Sequence, residues 1–484
     1  MKVLIVNPPW PGKGFGTRSQ NRIIKHRADK FLQFPLLLAY ACSQLKRAGH
    51  EVYFIDSVID ELGMEETLSR IGEISPDAVL IETTTPSIEY DFDFLRKIKT
   101  RERLIIAVGQ HVTALPRESL EECKAIDVII KGEFDPIVAP VLENTQNLSK
   151  VKGIAYRKDG KIFDNGPAVW CHNLDELPFP DRETIPFDRY GESWYNLRPF
   201  ANILTTRGCP YGCTYCISPH VMEGLKWRQR SIGNVMEELK ILTKEYCVRE
   251  INIDDATFTL DKKRVIEFCR ALKENNIKLL WTANGRVDNV DEEMLEEMKK
   301  AGCKMIRYGV ESGDPGVLKK MKKNIKIEKV KYAFDITRKH KILALGGFMF
   351  GFPYDTKDSI ETTIKVAREI KPDLIQCSIV LPYPGTALYK EAESEGKIIA
   401  KSWKEFDMTY GPVVKMKDVS REELDGIVQR MYKEFYFRPS FAIQTIFNIR
   451  RLSDIPRNLR AFLTLVRTMN IYRKQGKVKS NVES

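Results

Sequence analysis

The stretch TTRGCPYGCTYCISPH sets Cys209, Cys213 and Cys216 in the spacing C-x3-C-x2-C. Three thiolates so close along the chain can fold around one metal centre. Gly208, Pro210 and Gly212 favour a tight loop over a helix there. A structural zinc or an ordinary iron–sulfur cluster takes four ligands, yet the adjoining cysteines are the distant Cys171 and Cys247. The spacing leaves one coordination position open, unless His220 completes a zinc knuckle or the three thiols are core residues close by coincidence.

Such a loop needs elements to position it. The chain has 484 residues, 43% hydrophobic and 30% charged, enough for at least two cores. From Ala201 onward, strands are expected at ANILTT (Ala201), EINID (Glu250), KLLWTAN (Lys278), KMIRYGV (Lys304), ILALGGFMF (Ile342) and DLIQCSIV (Asp373), with helical stretches between them. Six βα units predict an incomplete TIM-like (βα)6 barrel whose active groups gather at the strand carboxyl ends. The cysteine loop follows the first of these strands. Earlier in the chain, KVLIVN (Lys2), EVYFID (Glu51), AVLIET (Ala78), LIIAVG (Leu104) and DVIIKG (Asp127) predict a doubly wound, Rossmann-like parallel sheet. Its ligand belongs beyond the strand ends, around NPPWPG, TTTPS, GQHVT and GEFD. No G-x-G-x-x-G follows its first strand, which argues against a dinucleotide. The α/β reading divides the chain into 1–148, a linker over 149–194 that includes a hairpin turned at Asp159-Gly160, a second domain over 195–415, and a helical, basic segment over 416–484.

The element Cys209-x3-Cys213-x-Tyr215-Cys216 resembles the signature of the radical S-adenosylmethionine (SAM) enzymes. The resemblance implies that the three cysteines hold a [4Fe-4S] cluster whose fourth iron is chelated by SAM, with Tyr215 in the same loop. Reductive cleavage of SAM then yields a 5′-deoxyadenosyl radical that abstracts hydrogen from an unactivated carbon, the cofactor supplying the chemistry and the protein the orientation. An external electron donor of flavodoxin or ferredoxin type is implied as well. Four further strand-end motifs resemble family positions. INIDDATF offers Asp254 and Asp255 to the SAM ammonium, though two Asp can equally begin a turn and cap a helix. WTANGRVD places Arg286 toward the SAM carboxylate, where a solvent-facing Arg would look identical. YGVESGD sets Glu311 and Ser312 near the ribose, and GGFMFGFPYDT resembles the glycine-bearing strand that lies against the adenine, with Gly351 and Pro353 shaping its turn.

The doubly wound domain ahead of such a core, followed by LPFPDR, resembles the cobalamin-binding subclass of the superfamily. That resemblance makes Asn7, Pro8, Thr84, Gly109, His111 and Gly132 candidate cobalamin contacts. Gly109 would let backbone approach a large flat ligand. D-x-H-x-x-G is absent, so no lower-axial histidine is evident; His111 is either a cobalt ligand or a hydrogen-bonded loop residue.

Ten cysteines at uneven spacing, behind an MKVLIVNPP start unlike an export signal, predict reduced thiols and a cytoplasmic chain. Of the net charge of +11, most lies between Tyr436 and Ser484, where seven Arg and three Lys face Asp454 and Glu483. This amphipathic tail suits peripheral contact with an anionic membrane, or a helical cap on the barrel; it matches no nucleic-acid-binding module. The function expected is methylation, cyclisation or carbon–carbon joining on a small molecule or lipid. Two alternatives stand beside it: a Cys-ligated metal scaffold docking on membrane or nucleic acid, and a tRNA methylthiotransferase, which would need further cysteines where only Cys42 and Cys123 stand.

Overall fold

The computed structural model describes residues 1–10, 16, 18, 32–191, 195–407 and 411–438. The basic tail lies almost wholly outside these residues.

The first sheet has seven strands: β1 (Lys2–Asn7), β2 (Glu51–Asp56), β3 (Ala78–Thr83), β4 (Leu104–Gly109), β5 (Val128–Ile130), β6 (Ile154–Lys158) and β7 (Lys161–Asp164). Their order is β2-β1-β3-β4-β5-β6-β7, with the first five parallel and β6 and β7 antiparallel. Apolar residues run unbroken along β1, β3 and β4 because both faces are covered. Leu4, Val6, Val79, Ile81, Ile105 and Ala107 pack on one side with Phe92 and Leu95 of the helix Ile88–Ile98. Their strand neighbours Val3, Ile5, Leu80, Ile106 and Val108 face the helix Leu36–Arg47, in a core continuous with that of the second domain. The hairpin turns at Asp159 and Gly160, both at positive φ as the sequence suggests. It is not part of a linker, however: β6 pairs with β5, so the first sheet reaches Asp164. The Pro-rich segment after it does pack between the domains. Arg182 there is buried, donating to the Asn202 carbonyl (2.7 Å) and to Glu238 (3.0 Å).

The second sheet holds β8 (Phe200–Ile203), β11 (Glu250–Ile253), β12 (Leu280–Gly285), β13 (Cys303–Glu311), β14 (Leu343–Phe350) and β15 (Leu374–Ile379), all parallel and neighbours in chain order. A short antiparallel ribbon, β9 (Thr206–Arg207) and β10 (Arg228–Gln229), flanks the cysteine loop. The six-stranded sheet does not close, leaving β8 and β15 as edges.

The β15 edge is covered by the helix Arg421–Tyr436. Tyr436 Oη accepts from the Ile375 N–H (3.1 Å) and donates to its carbonyl (3.3 Å); Tyr432 Oη does the same at Cys377 (3.0 and 3.5 Å). Two phenols thus stand in for a neighbouring strand, which blocks the pairing an open edge invites. Replacing both by Phe strands two amides and two carbonyls for no gain in volume. The Tyr432→Phe/Tyr436→Phe variant is expected to lose about 1–3 kcal/mol, read as a lower thermal midpoint.

Candidate active site between two strand-end mouths

The cysteine loop leaves β9 through Gly208, whose φ of +85° places its α-carbon beside the Lys226 carbonyl. The Gly208 N–H donates to Glu223 (3.1 Å) and the Cys209 N–H to the Gly224 carbonyl (3.2 Å). Cys209 Sγ lies 3.8 Å from Thr257 Oγ1, and Cys213 Sγ lies 4.0 Å from the Lys322 carbonyl. Burial pushes the Cys216 thiol up to about 12, and the neighbouring Cys213 and Cys209 add to this. Burial also raises Cys213, against the pull of Lys323 and Arg286. All three cysteines are free.

Among the described residues no three His, Cys, Asp or Glu side chains converge as a ready site for a single ion. His220 does not complete a zinc knuckle: its Nε2 is 3.2 Å from the Cys213 carbonyl oxygen. The donor set itself is three soft thiols on one loop, with the cations of Lys323 and Arg286 close by, which suits an iron–sulfur cluster.

The strand ends around the loop separate the candidate residues. Asp255 is fully buried, and its carboxylate accepts from the Thr205 N–H (2.6 Å), Thr205 Oγ1 (2.5 Å) and the Thr206 N–H (3.0 Å). It fastens the turn after β8. Asp254 is half-buried and accepts from Asn202 (2.7 Å) and Asn252, with Arg307 at 3.9 Å. Burial raises its carboxyl to about 6.

Arg286 is neither solvent-facing nor open to a ligand on its Asp288 side. Its guanidinium pairs with Asp288 (3.0 and 2.9 Å), donates to the Lys323 carbonyl (3.0 Å) and lies 3.6 Å over the ring of Tyr211, inside the cysteine loop. Glu311 stands at the end of β13 at φ +68°, paired with Lys323 (3.1 Å). With Tyr215, Cys216, Phe348, Gln376 and Tyr383 it lines a cavity of about 220 Å³. Burial, with Glu311 beside it, holds the Tyr215 phenol protonated.

Two further candidates serve turns. Ser312 bonds Thr363 (3.1 Å) and the Asp314 N–H (3.1 Å), building the turn after β13. Gly351 abuts Leu424 of the covering helix, where a Cβ would sit 2.7 Å from it; the glycine lining the cavity is Gly347.

The mouth of the first sheet faces this site. Asn7 bonds Asp56 (2.8 Å) and receives Arg18 (2.7 Å), which also donates to the Pro8 carbonyl (2.8 Å). Thr84 caps the turn after β3 through Ser87 (3.0 Å). The fold itself requires Gly109, since a Cβ at its φ of +101° would lie 2.3 Å from the Thr83 carbonyl oxygen. Gly132, at φ +70°, lies against Trp170.

His111 is a packed residue. Its Nδ1 is 3.3 Å from Thr85 Oγ1 and its ring stands edge-on to Trp403 at 5.0 Å, while burial lowers its pKa to about 3. Burial therefore keeps this imidazole neutral. Beside it, Gln110 Nε2 is buried with no hydrogen-bond partner, although Gln110 was not singled out by the sequence. An unmatched amide donor at a strand end fits a ligand rimmed with amides, as a corrin is.

The two mouths are joined by charge. Arg207 of β9 forms a bidentate pair with Asp135 (2.9 and 2.9 Å), and Arg228 of β10 pairs with Glu133 (2.9 and 2.5 Å). Asp135 and Glu133 follow β5 in the GEFD motif. From the other side, the residues around Trp403 close on the turn after β3, with Glu89 accepting from the Trp403 N–H (3.1 Å) and pairing with Lys404 (2.9 Å).

A doubly wound sheet set mouth to mouth with an open six-stranded half-barrel, three free thiols at the junction, defines a class of two-domain enzyme. Residues 203–367 match the radical SAM superfamily and residues 30–142 the B12 binding domain. An uncharacterized methyltransferase of Pyrococcus horikoshii is 33% identical over 454 residues, 92% of this chain and 95% of the relative. The anaerobic magnesium-protoporphyrin IX monomethyl ester cyclase of Cereibacter sphaeroides is 28% identical over 84% of this chain and 67% of its own length. In fold, the radical SAM methyltransferase TsrM of Kitasatospora setae, with cobalamin and a [4Fe-4S] cluster bound, superposes with a TM-score of 0.70 at 15% identity, over 99% of each chain.

The chain belongs to the radical SAM superfamily, in its branch with an N-terminal B12-binding domain. It is an enzyme of that branch, whose two matched domains are those of SAM and B12 chemistry. Cys42 and Cys123, the thiols of the first domain that the methylthiotransferase alternative would draw on, are buried in separate cores on opposite faces of the first sheet and do not converge.

Proposed function

We propose that this enzyme methylates an unactivated carbon of an apolar small molecule, with Cys209, Cys213 and Cys216 holding the cluster. When bound, cluster and SAM supply one-electron cleavage of the sulfonium, and cobalamin supplies a methyl carrier. The observation that carries the reading is the meeting of the cysteine loop with the B12-binding mouth across the Arg207–Asp135 and Arg228–Glu133 pairs. Methyl transfer needs both cofactors to reach one substrate.

The chain's own groups divide the remaining work. The cavity beside Cys216 is walled by Phe348, Met349, Leu381 and Tyr383, with Gln376 and Ser378 as its polar points, which suits a hydrophobic substrate oriented by few hydrogen bonds. Glu311, held by Lys323, is placed to accept hydroxyl donors. The relatives named as methyltransferases support methylation, and the apolar lining supports a lipid or a similar substrate. A flavodoxin or ferredoxin is the expected electron donor. None of the described helices is long and apolar enough to cross a membrane, and contact with a membrane surface through the tail remains part of this proposal.

Anaerobic reconstitution with iron, sulfide and hydroxocobalamin, then incubation with methyl-labelled SAM and apolar extracts, tests the reading by mass spectrometry. Label in a new carbon-bound methyl is expected. Formation of 5′-deoxyadenosine with no label transferred would instead select cyclisation.

Asp254 gives a pH dependence. As the acceptor for the SAM ammonium it must be ionised, and burial raises its carboxyl to about 6, against Arg307 and Asn202 and with Asp255 adding to the rise. SAM affinity is therefore expected to fall as pH drops through 6. In the free protein the sign is opposite, the raised carboxyl contributing stability below about pH 4 that is lost as pH rises through 6. Calorimetric titration of SAM between pH 5 and 8 checks this, and Asp254→Asn should flatten the profile.

A further inference from the structure

Strands β9 and β10 pair Arg207 directly with Arg228. Like charges facing each other across an antiparallel pair repel, and both guanidinium groups are almost wholly buried, at 2% exposure each. The ribbon that launches the cysteine loop is thus unfavourable by itself. Its ion-pair partners come from the other domain: Glu133 (1% exposed) and Asp135 (fully buried), in the turn after β5; Glu223 of its own turn adds a weaker attraction on Arg207.

The connection then runs to the metal-ligating backbone. Besides Glu133, Arg228 donates to the carbonyls of Glu223 (2.6 Å) and Lys226 (3.2 Å). That same turn holds the Gly208 N–H through the Glu223 side chain and the Cys209 N–H through the Gly224 carbonyl. Arg207 itself stands two residues before Cys209 and stacks on Tyr40 of the first domain at 4.9 Å. Every route from the carboxylates to Cys209 passes through one arginine and at most one turn.

We propose that Glu133 and Asp135 of the B12-binding domain are positioning residues for the cysteine loop of the partner domain, fixing the cluster's placement relative to the corrin through Arg207 and Arg228. The device couples the first turn of the cluster loop, at Gly208 and Cys209, to docking of the first domain.

The proposal rests on both cofactors sharing this chain, so its test separates the two ideas. In the full-length protein, Asp135→Asn and Glu133→Gln keep side-chain shape and remove charge. Because either leaves an arginine uncompensated, an Asp135→Leu/Arg207→Met variant, which removes both charges of one pair, guards against simple unfolding. Amide exchange at Gly208 and Cys209 in the cofactor-free chain is expected to quicken at least about tenfold in variants whose melting midpoint matches the parent. In the loaded protein, the magnetic interaction between reduced cluster and cob(II)alamin should change while each cofactor's own signal and the iron content persist. Folded variants with parental exchange and parental interaction would overturn the positioning role. A parent chain that takes up iron but no cobalamin would overturn the shared-cofactor reading instead, leaving exchange alone to decide the positioning.

Discussion

Replacing Cys209, Cys213 and Cys216 with Ala is expected to abolish both iron–sulfur absorption and SAM cleavage while leaving the two-domain fold in place. The loop does not depend on its thiols for shape. Its path is set by the Gly208 and Cys209 amides, by the Thr214 N–H on the Met321 carbonyl (3.0 Å), and by Tyr211 beneath Arg286. The cysteines contribute only weak sulfur contacts near 4 Å, to Thr257 and Lys322. Loss of the thiols therefore removes soft donors without removing the scaffold. Iron and sulfide content, circular dichroism and 5′-deoxyadenosine formation measure the three parts separately. A triple variant that still cleaved SAM would sink the assignment of these residues.

Sequence made the frame legible where local physics dominates. Strands buried on both faces read as apolar runs, as in Val3–Val6, Val79–Ile81 and Ile105–Val108. The Asp159-Gly160 turn was legible because its backbone demands those residue types. What the hairpin pairs with was not, since joining β5 is a decision made between distant segments. The same limit governs the site. Asp254 and Asp255 are adjacent in sequence, yet successive side chains at a strand end point oppositely, so one carboxylate serves a backbone turn and the other accepts from Asn202 and Asn252. At Gly109 the need for a residue without a Cβ is legible, whereas the group that approaches it, the Thr83 carbonyl, is not. The buried ion pairs join residues 72 and 95 positions apart, and no local pattern marks them. Only the presence of two acids in GEFD and an arginine in TTRG hinted that charge collects there.

Two glycines of the cysteine loop should respond in opposite ways to the same substitution. A Cβ at Gly208 would lie 2.2 Å from the Lys226 carbonyl oxygen and 3.2 Å from that of Gly224, both backbone atoms, at a φ of +85°. The left-handed backbone alone costs an L-residue about 1–2 kcal/mol. Relief of the clash must also move Lys226, whose carbonyl accepts from Arg228, and Gly224, whose carbonyl holds Cys209. Strain at one α-carbon is thereby passed to Cys209, the first of the three thiols proposed to hold the cluster. At Gly212, between Pro210 and Cys213 in the same loop, a Cβ would meet nothing within 4 Å. Gly208→Ala is expected to lower reconstituted iron per chain several-fold and to weaken SAM binding, whereas Gly212→Ala keeps both near the parent. Since both substitutions add one methyl within four residues of each other, a shared loss would mean that the loop tolerates no added bulk, and the backbone-contact account would fail.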